Sequence, residues 1–295
     1  MGVKKYFTFS KIEKIISISL FVNISLGLLK VITGLLGSSV ALLADGIHSF
    51  SDLANDVIAI VGNRFAKKPP DNKHPLGHGK SEYLTSIIIG LFIILIGTFF
   101  IKEMFYKEIS YPKKIVIIVS GITILIKLWL ANFLIKKGKK HQNNILIASG
   151  KESSSDVFVS LIVLISAVGV QLVAKYNILK YSDKIASIIV GICIIKVGFN
   201  IIKINASMVI GEQVIDKDYL NNIQKIILHD KDIKAIKELV ILKYGPDFKL
   251  ISEIEMKSNL SLLKVHNKIK VIENRIKTYD QKINYIKIKG SPFLK

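Results

Sequence analysis

Residues 41–60 read ALLADGIHSFSDLANDVIAI. In length and apolarity the stretch suits a bilayer crossing, which takes about 20 mostly apolar residues, yet it carries Asp45, His48, Asp52 and Asp56. Those four are separated by three, four and four positions, so a helix places them on one stripe. A stripe of acids cannot face lipid, because an ionisable group at membrane depth is costly and turns toward a bundle interior or a water-filled path. The stretch therefore predicts a membrane helix bundle with a charged interior.

The rest of the chain agrees with that reading. Half of its 295 residues are hydrophobic and the mean hydropathy is +0.44, too apolar for a soluble domain of this length. The net charge of +20 comes from lysines spread over loops and a C-terminal region. They are not gathered beside aromatic strands, which argues against a nucleic-acid partner, and part of the excess is the topology signal of cytoplasmic loops. Cys193, the sole cysteine, lies in an apolar run, so neither a disulfide framework nor a CxxC metal site is available. The first apolar run keeps Asn23 and Lys30 and lacks a small-residue cleavage site, so it reads as a retained span rather than a signal peptide. No span carries HExxH and no GxxxxGK[ST] loop is present, so neither a metalloprotease nor an ATP-driven pump is expected, and the chain is not read as an enzyme.

Six runs are long enough to cross: Ile15 to Leu36, Ser39 to Phe65, Tyr83 to Ile101, Ile115 to Ile135, Ile145 to Val173 and Ile185 to Ile204. The basic segments RFAKKPPDNKHPLGHGK and KKGKK join spans two to three and four to five, and the N-terminus is also basic. The positive-inside rule makes that side, and with it both termini, cytoplasmic. Lys102, Lys107, Lys113 and Lys114 fall in a loop that this topology puts outside, where Glu103 and Glu108 dilute them. From about Met208 the pattern shifts to helix, strand, strand, helix, strand, with a turn at Gly245, Pro246 and Asp247 and a cap at Asp216 or Asp218. The expected fold is a membrane all-α six-helix transmembrane bundle over residues 1–207, followed by a small cytoplasmic α+β domain over residues 208–295.

Span five carries a second acidic pair, Glu152 and Asp156, again four apart. At about 1.5 Å per residue, His48 and Asp52 lie roughly 14 to 20 Å from the outer end of span two. Glu152 and Asp156 lie roughly 10 to 17 Å from the inner end of the oppositely directed span five, so in a core about 30 Å thick the pairs reach one level. One imidazole and three carboxylates can then close a four-ligand divalent-metal site, tetrahedral for zinc or more oxygen-rich for manganese or iron(II). Asp45 and Asp56 stand as path residues or as helix-packing partners. Lys30 is expected to snorkel or to pair with an acid of the bundle.

The chain resembles the cation diffusion facilitator, or cation efflux, family of divalent-metal transporters. The resemblance rests on GLLKVITGLLGSSVALLADGIHSFSDLANDV across spans one and two, on KKPPDNKHPLGHGKSEYL after them, on the acidic pair of span five, and on the order of six spans and tail. It implies metal-for-proton exchange out of the cytoplasm by alternating access, in a homodimer whose tail domain is metallochaperone-like. His48, Asp52 and Asp156 match the family's transport site, whereas Glu152 stands where many zinc transporters have histidine, which raises manganese or iron(II). Asp71, His74 and His78 match a loop-borne metal site of some members, and loop ordering is the competing reading. Lys80 resembles a family lysine of an interlock near the membrane surface. In the tail, IKIKGSPFLK carries no histidine or acid and only His266 falls at a family position, so metal sensing by the tail is not expected.

The implied partners are a divalent metal ion as substrate, protons, the lipid bilayer and a second copy of the chain, and no organic cofactor is called for. Three carboxylates without metal hold protons that a divalent cation displaces, which couples the two ions at one site. Two other readings retain the same residues: a membrane-anchored metal sensor or scaffold, and a channel or uniporter, which would not need a proton gradient.

Overall fold

A computed structural model describes residues 11–53, 62, 64–66, 68–106, 109, 111–141 and 143–293. Asp56 and most of the inner half of the expected second span lie outside those residues. The described helices of the N-terminal region are α1 (Lys11–Leu36), α2 (Val40–Asp52), α3 (Ser81–Tyr106), α4 (Lys114–Lys140), α5 (Asn144–Gln171) and α6 (Ser182–Ile210). The α1, α3, α4, α5 and α6 segments are each long and apolar enough to cross a membrane. The described part of α2 is 13 residues and residues 64–66 are again helical, so among the described residues the expected second span does not reach crossing length. The chain is thus an integral, multi-pass membrane protein with a small C-terminal domain.

The described residues form two compact units, one from those up to 53 with 90–200, the other from those between 62 and 89 with 201–293. In the first, large apolar side chains point outward, such as Phe158 at 70% exposure, as helices bathed in lipid require. The interior instead holds charge, and its two largest fully buried side chains are Lys30 and Lys127. Helix α2 packs tightly on α1, because glycines let the backbones approach. A Cβ on Gly46 would lie 2.8 Å from the Val31 backbone nitrogen, and one on Gly34 would lie 2.6 Å from that of Leu43.

The second unit contains α7 (Lys217–Leu228), β1 (Ile233–Tyr244), β2 (Asp247–Met256), α8 (Leu262–Tyr279) and β3 (Ile283–Pro292). The sheet order is β1-β2-β3, with β2 antiparallel to β1 and parallel to β3. Asp216 caps α7, its side chain accepting from the Tyr219 backbone nitrogen, and Ser261 caps α8. The β1–β2 connection is Gly245 and Pro246, with Gly245 at φ 65°, where a two-residue hairpin needs a positive φ. Both helices bury isoleucines against the sheet: Ile223 and Ile227 of α7 and Ile272 and Ile276 of α8 meet Ile241, Leu250 and Ile254. At the edge of this layer Lys268 lies 2.8 Å from Asp230 and 2.9 Å from Asp232, and Lys257 lies 2.6 Å from Asp232.

Two outcomes follow from this packing. Gly46→Ala pushes a methyl into the α1 backbone and should lower the melting temperature of the detergent-solubilised protein, at a cost of about 1–3 kcal/mol. Gly121→Ala, whose Cβ would meet nothing within 4 Å, should be neutral or stabilising. Hydrogen bonds from Lys257 and then Lys268 hold the Asp232 carboxyl at about 2, below its usual 3.8. A folded value below the unfolded one stabilises above roughly pH 4, and the contribution is lost as pH falls toward 2. Asp232→Asn should therefore flatten the acid limb of tail-domain stability, measured by thermal melts across that range, by the modest amount surface pairs supply.

Candidate metal centre

The start of α2 is fixed before its functional residues appear. Ser39 caps the helix by accepting from the Leu42 backbone nitrogen at 3.1 Å. Asp183 of α6 accepts in turn from the Ser39 hydroxyl at 2.7 Å and from the Val40 backbone nitrogen at 3.0 Å. Two turns on, Asp45 pairs with Lys30 of α1 at 2.9 Å. The same ammonium donates to Ser160 of α5 at 2.9 Å and Ser49 at 3.3 Å, and the Ser160 hydroxyl donates to Asp45. All four residues are buried. Lys30 thus pairs with an acid of the bundle rather than snorkelling, and Asp45 is the acid it pairs with.

One and two turns further along α2, His48 and Asp52 face Asp156 of α5, with one ligand atom from each lying within 4.8 Å of the other two. His48 Nδ1 is 3.9 Å from Asp52 Oδ1. His48 Nδ1 and Asp52 Oδ2 are buried and lack a hydrogen-bond partner among the described residues. Unsatisfied buried donors and acceptors are costly and call for an explanation. An imidazole and two carboxylates converging in an apolar bundle have the chemistry to hold a divalent cation.

Glu152 is not brought into this cluster. It sits one turn before Asp156 and is exposed. Spacing by four puts two residues on one face but rotates them by about 40°, and the buried stripe of α5 here runs through Gly150, Ser153 and Asp156, which leaves Glu152 at its rim. A residue outside the acidic pattern takes part instead: Lys127 of α4 is 2% exposed and its Nζ is 2.6 Å from Asp156 Oδ2. Its signal is in the sequence, as the lone lysine in the apolar middle of the α4 run IVIIVSGITILIKLWLANFLI, since a cation at that depth needs an acid.

Asp71, His74 and His78 form a second convergence within the same 4.8 Å. Asp71 Oδ1 accepts from the His74 and Lys73 backbone nitrogens at 2.6 and 2.9 Å, and these bonds, led by that of His74, hold the carboxyl below its usual range. His78 Nδ1 lies 3.2 Å from the Pro69 carbonyl and Nε2 lies 3.4 Å from Asp71 Oδ2. If Nδ1–H donates to that carbonyl, Nε2 presents a lone pair to a carboxylate oxygen, an arrangement a shared cation or proton would reconcile. The loop is nonetheless exposed at Asp71 and His74, and its backbone bonds also serve ordering. Lys80 donates to the Val209 carbonyl of α6 at 2.9 Å and lies over the Tyr244 ring, so its partners are a helix end and an aromatic face. His266 is exposed.

Comparison with known proteins extends these observations to the whole chain. Residues 16–210 match the model of the cation efflux transmembrane domain. An uncharacterised transporter of Methanocaldococcus jannaschii is 32% identical over 92% of this chain and 95% of its own. The manganese efflux system protein MneP of Bacillus subtilis is 29% identical over 95% of this chain and 96% of its own. Magnetosome protein MamB of Paramagnetospirillum magneticum is 23% identical over 85% and 84%. With its apolar helices, its intramembrane donor cluster and a family model matched over most of its length, the chain belongs to the cation efflux family.

Proposed function

We propose that the protein exports a divalent metal ion from the cytoplasm in exchange for protons, by alternating access around His48, Asp52 and Asp156, with manganese favoured over zinc and iron(II). The observation that carries this reading is the meeting of those three ligand atoms within 4.8 Å, in a unit of membrane-length helices. A soluble sensor would have no need to place them there. The preference for manganese draws on two supports. The donors are mostly carboxylate oxygens, which suit a harder ion, and two full-length relatives of Bacillus subtilis are named manganese efflux proteins.

In this reading residues 1–207 form the transport domain, residues 208–295 the cytoplasmic domain, both termini face the cytoplasm and two copies pair. Glu152 supplies a fourth oxygen when α5 turns its rim toward the cluster. Metal entry and proton release are linked at this one site, so it carries both ions. Asp71, His74 and His78 hold a further ion at the loop.

Mn²⁺ uptake into proteoliposomes bearing a pH gradient tests the transport reading. Flux should depend on the gradient and fall at least about 100-fold in Asp52→Ala, which removes a charged ligand. Flux that is absent from folded native protein despite metal binding would leave a sensor or scaffold, and flux indifferent to the gradient a uniporter. Glu152→His should move the preference toward zinc; an unchanged metal order would remove Glu152 from the ligand set. For the loop, the double variant Asp71→Ala, His78→Ala should lower bound Mn²⁺ by one equivalent in equilibrium dialysis while leaving the Asp52-dependent fraction intact.

A further inference from the structure

Lys127 has no place in a site made only of metal ligands. Its side chain is buried, and its ammonium sits on Asp156, a carboxylate of the convergent cluster. Lys30 neutralises Asp45 in the same unit. Within the cluster Asp156 is paired with Lys127, whereas half-buried Asp52 has no lysine in ion-pair contact among the described residues, so the resting cluster presents one carboxylate without such a pair rather than two.

That arrangement decides which cations can enter. A lysine tethered to the bundle competes at a high effective concentration, so a free sodium or potassium ion of equal charge gains little by replacing it. A divalent ion gains about twice the Coulomb attraction to the same carboxylates in a medium of low dielectric, and also bonds the unpartnered His48 Nδ1 and Asp52 Oδ2. The displaced ammonium has an exit on its own helix. Helical side chains lean toward the N-terminus, and one turn that way lies buried Thr123, whose hydroxyl donates to the Ser120 carbonyl and still has lone pairs to offer.

We propose that Lys127 is a specificity-determining residue of the transport site: it occupies the metal-binding carboxylate as a tethered monovalent cation that a divalent ion displaces and a sodium or potassium ion does not. The inference rests on the transport-site reading above. It also gives Lys127 a part in release, because the returning ammonium re-forms its pair with Asp156 as the metal leaves.

The test is Mn²⁺ binding by the purified full chain in detergent, in sodium chloride and in N-methyl-D-glucamine chloride, with Mn²⁺ flux in liposomes alongside. Native protein should bind with the same affinity in both salts. Lys127→Met and Lys127→Gln should bind Mn²⁺ at least about tenfold more tightly without sodium and lose that gain as sodium is added; Lys127→Arg, which keeps the charge, should behave as native. In flux, the Met and Gln variants should lower KM and kcat together. A purely structural lysine predicts otherwise: folded Met or Gln variants with native or weaker affinity and no new sodium sensitivity would overturn the proposal. Lys127→Gln, which retains a donor toward Asp156, serves if the Met variant does not fold. Sodium competition in the native protein would overturn it with no variant at all. Native protein that binds no Mn²⁺, or binds it indifferently to Asp156→Asn, would instead sink the transport-site reading and this inference with it.

Discussion

A carboxylate taken out of water inside a bilayer must find a cation or a proton, and the arrangement of the N-terminal helices follows from how each acid meets that demand. Asp45 of α2 meets it with Lys30 of α1 and the Ser160 hydroxyl of α5, joining three helices through one buried group. Asp156 meets it with Lys127, joining α4 to α5. Asp52 has no lysine partner among the described residues, and it stands beside the imidazole. The same rule that ties the bundle together thus leaves a place for an exchangeable ion.

How much of this could be read from the residues depended on whether the signal was periodic. The stripe of Asp45, His48 and Asp52 repeats at helical spacing in an apolar run, and lipid admits one orientation for such a stripe, so its inward direction was legible. The tail was legible for a similar reason, since Gly245 and Pro246 mark a turn between two apolar runs and Asp216 stands where an N-cap belongs. The partner of Asp45 was legible as one of two outcomes for Lys30. The choice between them needed the distance from α1 to α2, which the glycine contacts at positions 34 and 46 set.

Other features depended on angles that spacing does not carry. Glu152 and Asp156 share a helix face by count, yet the depth of each is decided by which side of α5 meets α2 and α4, and the buried stripe passes Glu152 by. Lys127 was hidden because a single basic residue in an apolar run has no periodic companion; only the rule that buried charges come in pairs points to it. Lys80 defied prediction differently. Its partners are a backbone carbonyl and an aromatic face, neither of which is marked by charge in the sequence.

The cap that Asp183 places on α2 bears on mechanics. Its carboxylate takes the Ser39 hydroxyl and the first backbone nitrogens of α2 while standing in the first turn of α6, where the helix dipole also favours a negative charge. The N-terminal ends of the two helices are therefore pinned to one another like two levers on one axle. In the alternating access proposed above, a tilt of α2 that turns His48 and Asp52 toward one side or the other would have its fulcrum there, and its amplitude would grow with distance from Ser39.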